Sequence, residues 1–237
     1  MERIAPPVHR PVRLQRPTSA KGLQQAPVQA PAPICAIAKR DPSRSIGAAN
    51  DGTLRDGCRL PMAGAGYVGV GERVWGADAT VAWLQWAAAQ VALQFPGSAP
   101  LVIGALSAEN GGFIAPHKSH QSGRDADIGY FHTARSQARR FELTTADNLD
   151  AEKTWAFLEA LLYTGDVTFI FMDYEIQASM YEALIDNGWT EATLAPLFQY
   201  PAGPSIGRGI IRHAKGHADH FHVRLRCVDA DKPDCID

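Results

Sequence analysis

PHKSHQSGRDADIGY, residues 116–130, and RHAKGHADHFHVRL, residues 212–225, hold six of the eight histidines of this 237-residue chain. Each segment ends in an alternation of polar and apolar side chains, which is the pattern of a half-buried strand. Strand alternation puts four polar side chains on two shared faces: Asp125 with Asp127, and His220 with His222. If the two strands are neighbours in one sheet, a carboxylate and two or three imidazoles converge on one point.

Such a donor set suits Zn2+, which binds imidazole nitrogen and carboxylate oxygen in a tetrahedron and keeps one position for water in catalytic sites. The remaining positive charge lowers the pKa of that water to ~7 and provides a hydroxide nucleophile. Neighbouring histidines can then act as a general base and as a partner for the oxyanion. A two-histidine, one-carboxylate iron centre uses the same ligands, and each pattern alone also fits a solvated polar face.

The rest of the chain predicts helices between strands. Asp78 or Thr80 can cap a helix that runs to about Phe95, and Asp150 can cap a second helix that Gly165 ends. The other predicted elements are strands at residues 101–105 and 167–172, the latter the most central, and a helix at 174–187, whereas glycine-rich residues 50–71 predict irregular loops. Without a regular βαβ repeat or a phosphate-binding loop, we expect an α+β fold with a small central antiparallel sheet flanked by helices and long loops.

The N-terminal residues differ in composition from the rest. Residues 1–40 carry seven basic side chains against one acidic, and residues 1–42 hold eight of the 16 prolines. Such a segment offers too few large apolar groups to offset the entropy of ordering it. We therefore predict a flexible basic tail at residues 1–42 and one folded domain at residues 43–237. Because no aromatic residues are interleaved with the basic ones, a nucleic-acid partner is not expected.

Hydropathy predicts no transmembrane segment, because no apolar run approaches the ~20 residues that a spanning helix needs. The nearest approach to an export signal, residues 32–38, is interrupted by Pro33, so no clear signal peptide is predicted. Cys227 and Cys235 close a short loop after the last predicted strand, where a disulfide would secure the chain end. If this pair is oxidised, the protein is extracytoplasmic. Unpaired thiols remain the alternative.

The chain resembles the penicillin-insensitive murein endopeptidases. These enzymes belong to a metallopeptidase group that includes lysostaphin-type enzymes, D-Ala-D-Ala carboxypeptidases and the hedgehog signalling domain. The group pattern, H-x6-D followed far downstream by H-x-H, is met here by His120, Asp127, His220 and His222. The narrower similarity lies in SHQSGRDADI at residues 119–128 and GHADHFHVRL at residues 216–225, within a similarity that spans about residues 43–237.

The resemblance implies a hedgehog-like fold and a zinc site whose ligands are His120, Asp127 and His222. His117 matches an additional family histidine that approaches or joins the metal. His220 is then the expected general base and His217 the expected transition-state stabiliser, although these two roles could be exchanged. The family's chemistry implies hydrolysis of D-alanyl to meso-diaminopimelyl cross-links in peptidoglycan, in the periplasm or after secretion.

Several alternatives remain open on the same scaffold. The chain could be a D,D-carboxypeptidase, a lytic factor aimed at other cells, or a non-catalytic binding module stabilised by zinc. The resemblance also makes a homodimer possible, with a second metal near Asp147 and Asp150. Of the cysteines, the resemblance supports only the pairing of Cys227 with Cys235, and it leaves Cys35 and Cys58 unassigned. Ala214 stands where the family commonly has an aromatic residue.

Overall fold

The structure is a computed structural model that describes residues 30–38, 41–134 and 139–237. The strands are β1 (Arg44–Ala48), β2 (Asp51–Arg55), β3 (Cys58–Arg59), β4 (Ala63–Gly64), β5 (Tyr67–Gly69), β6 (Trp75–Gly76), β7 (Leu101–Ile103), β8 (Asp125–Gly129), β9 (Val167–Met172), β10 (Ile211–His213) and β11 (His220–Leu225). The helices are α1 (Asp78–Gln94), α2 (Ala151–Thr164), α3 (Tyr174–Asp186) and α4 (Glu191–Leu194), and a 3-10 turn follows at Asp229–Asp231.

The mixed α/β content that the sequence predicts is confirmed, but the sheet is not purely antiparallel. Its seven strands lie in the order β10-β9-β11-β8-β7-β5-β4, and the pairs β10–β9 and β5–β7 are parallel. The middle strand is β8, whereas β9, expected to be the most central, lies one strand from the edge. Residues 50–71 are also not irregular, because they form short strands that pair with each other and with distant partners.

The two faces of the β8–β11 pair have opposite character. Phe221 and Val223 are almost fully buried on one face, where Phe157 of α2 packs against Phe221 with ring centroids 6.0 Å apart. The alternate residues of the same strands, including His222 and Asp127, therefore lie on the other face. Burial of the apolar face fixes the register, because a one-residue slip would exchange the two sets of side chains.

The observed N-terminal caps of α1 and α2 can be compared with the predicted ones. Asp150 accepts a hydrogen bond from the backbone N–H of Lys153 at 3.0 Å, which confirms it as the cap of α2. Neither Asp78 nor Thr80 caps α1. The cap position is Ala77, and the hydroxyl of Ser43 instead accepts from the backbone N–H of Asp78 at 2.7 Å. A residue 35 positions away along the chain thus replaces the expected local cap.

Part of the expected tail is attached to the domain. Cys35 forms a disulfide with Cys58, and the backbone N–H of Ala36 donates to Arg59 at 2.7 Å. Residues 34–36 are therefore held against the fold. Most of the segment predicted as a flexible tail, namely residues 1–29, 39 and 40, lies outside the described residues. The predicted pairing of Cys227 with Cys235 is confirmed.

In the part of the chain that the structure describes, no helix has the length and apolar character that crossing a bilayer requires.

Candidate active site

The β8–β11 register brings the two histidine-bearing segments together. The strands are antiparallel neighbours, with His222 opposite Asp127 and Arg224 opposite Asp125. His220 lies opposite Gly129, one step further along the ladder. The convergence that the alternation pattern predicts therefore occurs on the polar face of the sheet.

Three potential ligand atoms meet at nearly equal distances. Nε2 of His120 and Nδ1 of His222 each lie 3.1 Å from Oδ1 of Asp127, and the two nitrogens are 3.1 Å apart. All three residues are buried, with exposed fractions of 1% for His120, 5% for His222 and 3% for Asp127. Tetrahedral zinc with bonds of ~2.0–2.1 Å separates its ligand atoms by ~3.3 Å, so this spacing fits such an ion.

Hydrogen bonds on the far side of each imidazole determine which atom faces the cluster with a lone pair. Nδ1 of His120 lies 2.8 Å from the carbonyl oxygen of Leu106, which can only accept, so Nδ1 carries the proton. Nε2 of His222 lies 3.0 Å from Oδ1 of Asp125 and donates to that carboxylate. When both imidazoles are neutral, two lone pairs and the Asp127 carboxylate therefore point at one another, an arrangement that a cation stabilises.

Asp125 lies behind the cluster, and the sequence did not reveal its contacts there. Besides the bond to His222, it accepts from Nε of Arg224 at 2.8 Å and from the backbone N–H of His120 at 2.8 Å. Burial alone would raise the pKa of Asp125, but His222 and Arg224 outweigh burial and hold the pKa well below its ordinary range. The sequence feature that indicates its contact with the cluster is its position two residues before Asp127, on the same face of the strand.

The other charges of the cluster follow from the same contacts. Burial alone would raise the pKa of Asp127, but hydrogen bonds from His120 and His222 hold it well below its ordinary range. Burial alone would lower the pKa of His222, but Asp125 and then Asp127 raise it to about 9. In the metal-free protein at neutral pH, His222 therefore carries a second proton where a cation would otherwise supply the positive charge.

The backbone of His120 adopts an unusual conformation. Its φ of 68° lies in the left-handed region, which residues other than glycine rarely occupy. Its N–H bond to Asp125 and its ring bond to Leu106 hold this conformation in place. Such backbone strain is typical of residues that a functional site must orient.

His117 lies at the open side of this cluster. Its Nδ1 is 3.5 Å from Oδ2 of Asp127, and ligand atoms of His117, His120 and Asp127 all lie within 4.8 Å of one another. Burial and then the nearby His120 lower the pKa of His117 below its ordinary value. A neutral imidazole beside the cluster is available as a further ligand.

His220 and His217 lie beside the cluster without belonging to its three closest atoms. Nδ1 of His220 is 2.6 Å from Oδ1 of Asp219, and its Nε2 is 3.8 Å from Oδ1 of Asp127. The ring of His217 lies 5.0 Å from that of His220, and its Nδ1 donates to the carbonyl oxygen of Ala214 at 3.1 Å. Burial and then His220 lower the pKa of His217.

The remaining histidines have other surroundings. His213 lies in β10, where its Nδ1 is 4.0 Å from Oδ2 of Asp173, at the sheet edge rather than among the three converging atoms. His132 lies away from the cluster and is mostly buried. Its Nε2 is 2.9 Å from the hydroxyl of Thr144, and only 11% of its side chain is exposed. His9 lies outside the described residues.

The chain matches the model of a known protein family. A family model described as penicillin-insensitive murein endopeptidase matches residues 45–172, just over half of the chain. The match includes His117, His120 and Asp127 and ends before the segment that carries His217, His220 and His222. No curated protein matches the chain.

Proposed function

This chain belongs to the penicillin-insensitive murein endopeptidase family, and from that premise we propose that it is a zinc D,D-endopeptidase acting on peptidoglycan. The proposed substrate is the D-alanyl to meso-diaminopimelyl cross-link. The observation that carries the proposal is the convergence of two imidazole nitrogens and one buried carboxylate oxygen on a single point. Such a trio has no use in a purely structural strand pair, which would bury apolar side chains instead.

The metal would be held by Nε2 of His120, Oδ1 of Asp127 and Nδ1 of His222, with His117 beside it. When bound, zinc supplies Lewis-acid polarisation of a carbonyl and lowers the pKa of a water. Behind the ligands, Leu106 and Asp125 keep both imidazoles in the required tautomers. Zinc suits imidazole and carboxylate donors in a compact, mostly buried trio, and this favours zinc over harder cations.

His220 is placed to take the proton of the attacking water. Asp219 accepts a hydrogen bond from Nδ1, so Nε2 presents its lone pair toward the cluster. Once Nε2 has taken the proton, the Asp219 carboxylate stabilises the resulting imidazolium. This is the arrangement of a general base oriented by a carboxylate. Because the nucleophile is water, no acyl-enzyme forms on a serine, and β-lactams have nothing to trap.

His217 is placed to stabilise the oxyanion that develops on the scissile carbonyl. Nδ1 donates to Ala214, so Nε2 is the atom available to substrate. Burial and the nearby His220 lower the pKa of His217, so Nε2 is unprotonated near neutral pH. His217 therefore donates to the oxyanion only in its imidazolium form, whose second proton comes from solvent before the water attacks. The exchanged assignment, with His217 as the base and His220 as the donor, also uses Nε2 of each ring.

The compartment follows from the chemistry of the cysteines. All four form disulfides, and such bonds persist where the environment is oxidising. The family's murein substrate lies outside the cytoplasmic membrane. We therefore propose that the protein works in the periplasm or after secretion.

The test combines metal analysis with product identification. Full-length protein should contain about one zinc per chain and should convert cross-linked muropeptide dimers from isolated sacculi into monomers, as seen by mass spectrometry. A chelator should abolish the reaction and zinc should restore it, whereas Asp127→Ala should bind no zinc. Zinc-loaded protein that leaves dimers intact would refute the endopeptidase. Release of terminal D-alanine from monomers alone would indicate a carboxypeptidase instead.

A further inference from the structure

The imidazole of His220 is held from three sides. Asp219 binds Nδ1, the ring of His217 lies 5.0 Å away, and the ring of Phe141 stacks on it with centroids 4.8 Å apart and an interplanar angle of 15°. Of these three contacts, the one with Phe141 lies flat against a face of the His220 ring. It therefore restricts tilting of the imidazole, which a single hydrogen bond to Asp219 leaves free.

Phe141 occupies a niche that two glycines create. A Cβ added at Gly104 would lie 2.5 Å from Cζ of Phe141, and a Cβ added at Gly129 would lie 3.3 Å from its Cδ1. Gly129 is the cross-strand partner of His220, so the aromatic ring fills the space that a side chain opposite the histidine would take. The backbone N–H of Gly104 also donates to the carbonyl of Asp127 at 2.8 Å, which links the niche to the cluster.

The segment that carries Phe141 is fixed to the turn that carries the histidines. The backbone N–H of Thr144 donates to the carbonyl of Ala218 at 2.8 Å, between His217 and Asp219 in the chain. Thr144 is buried, and its hydroxyl is bonded to His132. These hydrogen bonds fix the position of the Phe141 segment against the turn that carries His217 and Asp219.

We propose that Phe141 is a positioning residue that sets the plane of the His220 imidazole, and this inference rests on the proposed role of His220 as a proton acceptor. Phe141 binds neither metal nor substrate in this scheme. It acts through His220, by keeping Nε2 directed at the reacting water. Misplacement of a catalytic group by about 1 Å can lower the rate roughly 100-fold, so loss of the stack should reduce kcat by about 10- to 100-fold.

The test is a double-mutant cycle on the full-length zinc protein, with cross-linked muropeptide dimers as substrate. Phe141→Ala should lower kcat by about 10- to 100-fold and leave zinc content and KM within about twofold of wild type. In a His220→Ala background, the same substitution should have no additional effect, because the group through which it acts is gone. An equal loss in both backgrounds would overturn the proposal and indicate a general structural role.

Two further variants distinguish a loss of His220 positioning from a general folding defect. Gly104→Ala leaves Phe141 intact but displaces its ring, and it should lower kcat in the same direction with zinc retained. Leu93→Ala removes an exposed apolar side chain from α1 and should leave kcat unchanged. An inactive wild-type protein would refute the proposed function, whereas an active wild type with an equally active Phe141→Ala variant would refute the positioning role alone.

Discussion

Oδ1 of Asp125 lies 3.0 Å from Nε2 of His222, on the opposite side of the ring from the nitrogen that faces Asp127. A carboxylate behind an imidazole fixes its tautomer and increases its basicity. Because Asp125 is also held by Arg224 and by the backbone of His120, one buried side chain orients both histidines of the cluster.

Asp125→Asn should therefore weaken zinc binding by about 10- to 100-fold, because an amide retains the shape of the carboxylate but not its charge. Competition with a chromogenic chelator measures the change. Asp219→Asn is the matched control, since it alters the carboxylate behind His220 and should leave zinc affinity near wild type. Equal zinc affinity in Asp125→Asn and wild type would show that Asp125 does not support the metal.

His220→Ala should separate chemistry from metal binding. Zinc content should stay at the wild-type level, while kcat on muropeptide dimers falls by about 10²- to 10⁴-fold, the usual contribution of a general base. His222→Ala is the comparison, because it should lose zinc and activity together. If His220→Ala digests dimers at the wild-type rate, another group takes the proton.

Zinc binding should release a proton from His222. The pKa of this histidine in the metal-free protein, about 9, exceeds the ordinary ~6.5, so at pH 7.5 the ring must lose a proton before Nδ1 can bind metal. The apparent zinc dissociation constant should fall about tenfold per pH unit from pH 7 and level off above about 9. Calorimetry in buffers of different ionisation enthalpy counts the protons, and a count near zero at pH 7.5 would contradict this charge state.

The same raised pKa has a consequence for the stability of the metal-free fold. A proton bound more tightly in the folded than in the unfolded state stabilises the fold fully below ~6.5, and this contribution disappears as the pH rises through about 9. Urea unfolding of metal-free protein should therefore show decreasing stability between pH 6.5 and 9. Zinc-loaded protein should lack this decrease, since the metal replaces the proton.

Replacing Cys227 and Cys235 by serine should destabilise the C-terminal end. The disulfide closes a loop with a sequence separation of 8, and the chain-entropy relation gives about 2–3 kcal/mol for a loop of that size. In a domain of this length the melting temperature should fall by roughly 5–10 °C. Thermal unfolding measures the shift. An unchanged melting temperature would mean that the bonds of Asp237 to Arg124 and to the backbone of Cys227 suffice to hold the end.

The two-residue period of a strand put Asp127 and His222 each on a polar face and predicted that they meet if the two strands are neighbours, and the structure shows this pairing. The same period put Asp125 on the correct face, but its contact with Arg224 required the cross-strand register. The strands within residues 50–71 were not predictable, since elements of two or three residues carry no periodicity. Their pairing depends on distant partners, as does the capping of α1 by Ser43.

His120 and His222 are separated by 102 positions along the chain. A nascent polypeptide that has emerged only as far as β10 contains the first histidine and Asp127 but lacks the other half of the donor trio. Metal capture by the full trio must therefore wait until β11 has been synthesised and has inserted between β8 and β9. The proposed wall-cutting activity would accordingly stay latent in every shorter nascent chain and arise only once β11 occupies its place in the sheet.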